Sequence, residues 1–272
     1  MRRAVAAAVV LALSAVPLRA ELKVNAKSVA RQVAGAAAGN DMLAGVVGPM
    51  ITEVYGGPAG IEMTVTVHED GRVRTDYATP FMGLPAGAVV IQRLDGTAVG
   101  FDVKTQTWWK MVDPLQDPKA VEMLSKSKPE VTAKRTGEFA TVTGLKAERA
   151  TITMQMALSL PPEAAQLPPQ LLAMIPKEIK AEGTTWLADS HTKYKTGMTK
   201  AFVTGPLSLI GLDKPINELQ GLLVRFVATL SLAPGWEIET VASKVAEEDV
   251  PDTVFDLPAG YKEIPMPTPN IR

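Results

Sequence analysis

From Ile61 onward the chain alternates. In Ile61-Glu62-Met63-Thr64-Val65-Thr66-Val67, apolar residues take every second position and polar ones fill the gaps. A period of two is that of a half-buried strand, because successive side chains leave opposite faces of the backbone. Asp70-Gly71 follows, a hairpin turn in which glycine takes positive φ without a steric penalty, and "RVRTDYA" returns. A second Asp-Gly pair, Asp95-Gly96, joins "AVVIQRL" to "TAVGFDV", and "KTQT" turns into "TWWKMV". The pattern predicts a meander of antiparallel strands from Ile61 to Val112. Within it, adjacent Trp108 and Trp109 must leave opposite faces, one toward a core and the other outside or beneath a helix.

The alternation lapses from Pro114 to Arg135, where lysines at 119, 126, 128 and 134 predict a solvated helix and loop. It resumes in "GEFATVTG" and "LKAERATITMQM", which sets Ala150, Ile152, Met154 and Met156 on one face. Leu167, Leu171, Ile175 and Ile179 then recur every four residues. That is an amphipathic helical stripe, with Pro168 or Pro169 near its start and Pro176 dividing it. "TTWLADS" predicts a short strand, and Tyr194, Met198 and Phe202 share one side of a second helix. "GLLVRFVATLSL" and "WEIETVASKV", joined at Pro234-Gly235, predict a long hairpin. "VFDLPAGYKEI" predicts a last short strand entering a tight turn, with Tyr261 as an anchor. Upstream, Val29 and Val33 fall on one helical face and Met42, Val46 and Met50 on another, so 21–60 is predicted to be helical. Asn40-Asp41 starts its second helix, and Gly56-Gly57-Pro58-Ala59-Gly60 serves as a hinge. Strands with segregated helices make an α+β domain.

The first twenty residues follow another pattern. Met1-Arg2-Arg3 is basic, Ala4 to Val16 is apolar except for Ser14, Pro17 breaks the run and Ala20 is small. This is the layout of a secretory signal peptide, cleaved after Ala20; the run is shorter than the roughly 20 apolar residues that span a bilayer. Cleavage would remove Arg2, Arg3 and Arg19, leaving twenty-five basic residues against 29 acidic ones and a formal charge of −4 in place of −1. The expected product is a periplasmic or secreted protein with no transmembrane span and no basic excess for nucleic acid. The chain has no cysteine, which excludes disulfides, thiolate catalysis, cysteine-held zinc and a lipid-bearing cysteine at the cleavage site. Its two histidines, His68 and His191, lack metal-ligand spacing, and no G-x-S-x-G elbow occurs. No catalytic residue, metal or cofactor is expected, and the protein is read as a non-enzyme.

Five blocks, "EDGRVRTDY", "VIQRLDGTAVGFDVKTQTWWKM", "TVTGLKAERATI", "GTTWLADS" and "DTVFDLPAGYKEI", occur in that order between Ile61 and Ile264. They resemble the blocks of a bacterial exported family of unknown function, itself similar to the LolA/LolB periplasmic lipoprotein carriers. The resemblance implies a curved antiparallel sheet, an unclosed half-barrel, with helices plugging its concave face. The organisation expected is then signal peptide 1–20, helical segment 21–60, sheet domain with inserted helices 61–264 and tail 265–272. Twelve methionines against six phenylalanines, four tyrosines and four tryptophans suit a site that adapts to irregular apolar partners. Met63, Val65, Phe101, Trp109, Met154, Trp186, Val224 and Phe226 are the candidate lining of an apolar concavity. The same residues would form an ordinary core if no ligand enters. The expected function is binding of a lipid, a lipidated protein or another apolar ligand, with peripheral membrane contact. The alternative is an envelope protein-interaction or stress-sensor module on the same fold.

Overall fold

In the computed structural model of the chain, the described residues are 18–33, 48, 49, 51, 52, 54–81, 83–111, 127, 129–157, 177–203, 212–231 and 233–267. Twelve strands among them form one sheet: β1 (Leu18–Gln32), β2 (Ile61–Val67), β3 (Val73–Tyr77), β4 (Ala88–Gln92), β5 (Ala98–Asp102), β6 (Thr107–Lys110), β7 (Glu130–Val142), β8 (Leu145–Ala157), β9 (Glu178–Ala188), β10 (Leu222–Leu230), β11 (Trp236–Pro251) and β12 (Lys262–Glu263). Their spatial order is β12-β6-β5-β4-β3-β2-β1-β11-β10-β9-β8-β7, and among these strands no pairing closes the ends. Neighbours are antiparallel except β12, which runs parallel to β6. The meander and the closing hairpin thus share one sheet, as their matching alternation predicts. No helix among the described residues is long and apolar enough to cross a membrane.

What joins the two halves is β1, in the segment predicted to be helical. Leu22, Val24, Ala26 and Ala30 are buried, while Lys23, Asn25, Lys27 and Arg31 between them are half-buried or exposed. This is a strand's period of two, and the Val29–Val33 spacing taken as a helical face is incidental to it. Val29 is half-buried on the opposite face and Val33 is 43 % exposed. The strand form prevails because β2 and β11 each carry an edge of backbone donors and acceptors. β1 satisfies both, pairing Leu22–Ser28 with Ile61–Val67 and its whole length with Trp236–Pro251. Helical residues do occur later in the segment, at 48, 49, 51, 52, 54 and 55; Met42, Val46 and Met50 lie outside the described residues.

Three other expectations shift. β7 takes residues 130–135 from the stretch predicted as helix and loop. Ile179 belongs to β9, where it is buried opposite Met156, and the remaining stripe residues Leu167, Leu171 and Ile175 lie outside the described residues. Val254 and Phe255 sit in a 3-10 turn, Asp252–Phe255, and the only extended pairing in that terminal stretch is the two-residue β12. The second predicted helix is present as α1 (Lys195–Phe202), preceded by a 3-10 turn, Thr192–Tyr194, with Tyr194, Met198 and Phe202 all buried. A short α2 (Asp213–Glu218) follows it.

The main core lies on one face of the sheet. Val24, Val65, Val90, Trp109, Met154 and Phe226 belong to it, together with Met198 and Phe202 of α1 and Ile51 and Tyr55 of the 48–55 helical residues. Two glycines allow the closest approaches. A Cβ at Gly197 would stand 2.3 Å from Val67 Cγ1, so the missing side chain lets α1 settle on β2 and β3. A Cβ at Gly100 would stand 2.3 Å from Trp109 Nε1, so the indole lies flat over β5. A smaller cluster on the opposite face holds Val89, Ile91, Val99 and Phe101, with Trp108, Leu257 and Tyr261 packed against it.

Candidate functional site

Strand alternation decides where each candidate residue lies. Met63, Val65, Trp109, Met154, Val224 and Phe226 are all buried in the main core, spread over β2, β6, β8 and β10. Phe101 is not among them. It pairs with Trp108, shares the face of Val89, and contacts Tyr261 edge-on at 5.8 Å between ring centroids. Trp186 stands at the margin. Thr185 and Leu187 on either side of it are buried, while Trp186 is half-buried, packed against the main core, with the Arg225 guanidinium 4.4 Å from its ring centre. A period of two from Val99 and from Leu187 marks both positions. The paired tryptophans divide as predicted, Trp109 into the main core and Trp108 into the smaller cluster.

Within the main core a cavity lies at the seam between sheet and helices. Ile61, Met63 and Tyr77 line it from the sheet, and Val54, Tyr55, Ala201 and Phe202 from the helical side. Phe81, stacked on Tyr77 at 4.5 Å, closes one wall, and Ser28 accepts a 3.1 Å hydrogen bond from Thr240 on another. Burial pushes the Tyr55 and Tyr77 hydroxyls well above the usual phenol range, so both stay neutral. The free volume is about 10 Å³. That is room for about one water and far too little for an acyl chain. Of the sequence candidates only Met63 reaches this cavity. Tyr77, Phe81 and Phe202 were missed because a seam needs two layers to be placed before its lining can be read.

A roomier groove of about 310 Å³ runs along the other face, over β8, β9 and β10. Arg149, Thr151, Thr153, Glu182, Thr184 and Thr229 line it, with Ile152, Val227 and Ala228 as apolar members.

A third locus sits where the chain's last residues cross that same face. His68, 2 % exposed, places Nε2 3.4 Å from Glu21 Oε1 and 3.9 Å from Asp252 Oδ1. Its Nδ1 accepts a 3.0 Å hydrogen bond from the Asp70 N–H and lies 2.8 Å from Asp70 Oδ1. Arg72 donates to Asp70 at 2.9 Å and to Asp252 at 2.7 Å, and lies over the Phe255 ring at 5.0 Å. From sequence alone His68 reads as a surface residue at a strand end. Its burial comes from the crossing chain, which carries no periodic signal.

No family model and no curated protein matches the chain. Among solved structures it is similar to the crystal structure of a LolA superfamily protein from Nitrosomonas europaea. The match has 8 % identity over 86 % of this chain and 89 % of that one, at a TM-score of 0.33.

Proposed function

We propose that this chain is an exported, non-catalytic binding protein for an apolar ligand, either a lipid or the acyl group of a lipidated protein. The observation that carries the reading is the seam itself. Its two walls belong to different layers, Ile61, Met63 and Tyr77 on the sheet and Val54, Ala201 and Phe202 on the helical side. Separating the layers widens it into a slot whose walls are already apolar, and methionine and the aromatic rings re-pack readily around a chain. The resemblance of the sequence blocks to an exported family that is itself similar to the lipoprotein carriers agrees with this reading. Cleavage after Ala20 would start the strand at Glu21 and leave β1 paired with β2 over its whole Leu22–Ser28 register.

One observation favours the second reading, an interaction or sensor module: the seam is nearly closed, with about 10 Å³ free. A packed core needs no ligand. The two readings separate in a single experiment. Protein purified from the periplasm should retain a lipid mass in native mass spectrometry and take up a fluorescent fatty acid saturably. Phe202→Ala, which enlarges the helical wall of the seam, should raise that uptake. No retained mass, with no uptake by either wild type or Phe202→Ala, removes the carrier reading and leaves the interaction module.

A further inference from the structure

The C-terminal segment is a strap. After β11 ends at Pro251, the turn Asp252–Phe255 passes over Glu21 of β1 and His68 beside β2, and Arg72 and Arg74 hold it from the β3 side. Arg74 donates to the Val254 carbonyl at 3.0 Å, and Phe255 meets the His68 ring edge-on at 5.7 Å. Leu257 and Tyr261 then cover the apolar cluster of β4 and β5, and Lys262–Glu263 pairs with the edge of β6. Beneath its first turn lie two titratable side chains, Glu21 at 1 % and His68 at 2 % exposure.

Those two groups are incompletely satisfied. Glu21 Oε2 and His68 Nε2 have no hydrogen-bond partner among the described residues, although Nε2 and Glu21 Oε1 are only 3.4 Å apart. The imidazole is also set between two partners at its other nitrogen. Nδ1 faces a donor, the Asp70 N–H at 3.0 Å, and an acceptor, Asp70 Oδ1 at 2.8 Å. A neutral ring can use the first and an imidazolium the second. Around His68 stand the carboxylates of Glu21, Asp70 and Asp252, with Arg72 as the nearby cation. With His68 neutral and the acids ionised, the carboxylates of Glu21, Asp70 and Asp252, with Glu69 close enough to add to them, outnumber Arg72, and Glu21 is buried without a full set of partners; cleavage after Ala20 would add the α-ammonium of Glu21 itself, which Glu21→Gln retains.

We propose that Glu21, His68 and Asp252 form a proton-operated latch. While one proton is held between His68 and Glu21 the C-terminal strap stays closed over them, and loss of that proton releases it. A released strap exposes Glu21 to water and at the same time uncovers Val89, Ile91, Val99 and Phe101. The electrostatics agree in sign. Burial raises the Glu21 carboxyl above its usual range; His68 and Arg72 pull it down, and Glu69 and Asp252 add to the rise. A raised carboxyl means that the closed state binds the proton more tightly than the open one. The closing tendency is therefore complete below the ordinary carboxyl range and is lost as pH climbs through the raised value. Because burial raises the Glu21 carboxyl, the change falls above the ordinary carboxyl range. Asp70 does not share it. Burial raises its carboxyl, but hydrogen bonds from Arg72 and the charges of His68 and Arg72 outweigh that and hold it below its usual range.

Hydrogen exchange of the full chain, corrected for intrinsic rates, reads the latch directly. From pH 5 to pH 8 the protection of strap amides 252–264 should fall by about 10-fold or more, while β1, β2 and β11 keep theirs. Glu21→Gln preserves shape and removes the charge, so its strap should stay protected at pH 8. Far-ultraviolet circular dichroism checks that this variant folds. Carbon-13 shifts of the Glu21 carboxyl in the wild type provide a second measure, with a midpoint above the usual carboxylate range expected to coincide with strap opening. A flat wild-type protection profile overturns the latch. So does a pH slope that survives unchanged in folded Glu21→Gln, or a Glu21 carboxyl midpoint that does not track that of the strap.

Discussion

On one face of the sheet, α1 and the helical residues near Tyr55 close a wide apolar core, with Met198 and Phe202 among its fully buried members. On the other face a strap of about a dozen residues crosses from β1 to β6, held by Arg72, Arg74, a buried histidine and a small apolar cluster. The first closure rests on area, since each fully buried apolar side chain contributes roughly 1.5–3 kcal/mol. The second rests on a few directed contacts, several of which depend on charge. A closure of the first kind is insensitive to solution conditions, whereas one of the second kind can open by itself. This contrast between the faces yields predictions of decreasing size.

The largest effect belongs to the main core. Phe226 is 1 % exposed on β10, and Phe226→Ala should reduce unfolding stability by about 3–5 kcal/mol through lost burial and the cavity left behind. Denaturant titration should show a lower midpoint with an unchanged slope. A loss under about 1 kcal/mol would mean that the face already has spare room, as a ligand slot requires.

Gly197→Ala tests how α1 is seated. The added Cβ would stand 2.3 Å from Val67 Cγ1 and 3.1 Å from Val73 Cγ2, and both side chains are β-branched and fully buried. They cannot swing aside, so the helix must lift, with an overpacking loss of about 1–3 kcal/mol. Uptake of an acyl probe by this variant would show that a lifted α1 opens the seam.

The same contrast explains what could be read in advance. The meander, the closing hairpin and the main-core positions of Met63, Val65, Trp109, Met154, Val224 and Phe226 all follow from alternation. A strand with one face in a core imposes that pattern directly. β1 carries the pattern too, in Leu22, Val24 and Ala26, but its alanines suit helices as well, and only the unpaired edges of β2 and β11 decide the matter. Phe101 belongs to the smaller cluster and Trp186 only borders the main core, because alternation says which residues of a strand share a face but not which core that face meets. The strap was legible only in part. Tyr261 does anchor it, but the strand expected around Phe255 is a 3-10 turn, because its residues drop into gaps made by strands far away in sequence.

A smaller effect is expected where the strap begins. Phe255 is 3 % exposed and packs on His68 and Arg72. In a main-core position Phe→Ala would be severe, but a strap that opens by itself limits the loss to its own opening free energy. Phe255→Ala should therefore change global stability by under about 1 kcal/mol while raising exchange at amides 252–264. A global loss as large as that of Phe226→Ala would erase the distinction between the faces and make them one cooperative unit.

The smallest effect lies at the strap's far end. Glu263 and Lys110 face each other at 3.3 Å, yet their side chains are 52 % and 74 % exposed, so water and salt screen the pair. The two-residue strand there does not depend on the pair. Lys262 N–H donates to the Gln106 carbonyl at 3.0 Å and Ile264 N–H to the Trp108 carbonyl at 2.8 Å, and no substitution at Glu263 removes either bond. Glu263→Gln should shift stability by no more than about 0–1 kcal/mol, and the shift should vanish in high salt. Replacing Ile264 by proline removes one of those donors and should free the strap's end with the charges intact. If Glu263→Gln instead loosened the strap as much as Ile264→Pro, as read by exchange at Lys262 and Glu263, charge rather than backbone pairing would be holding the edge.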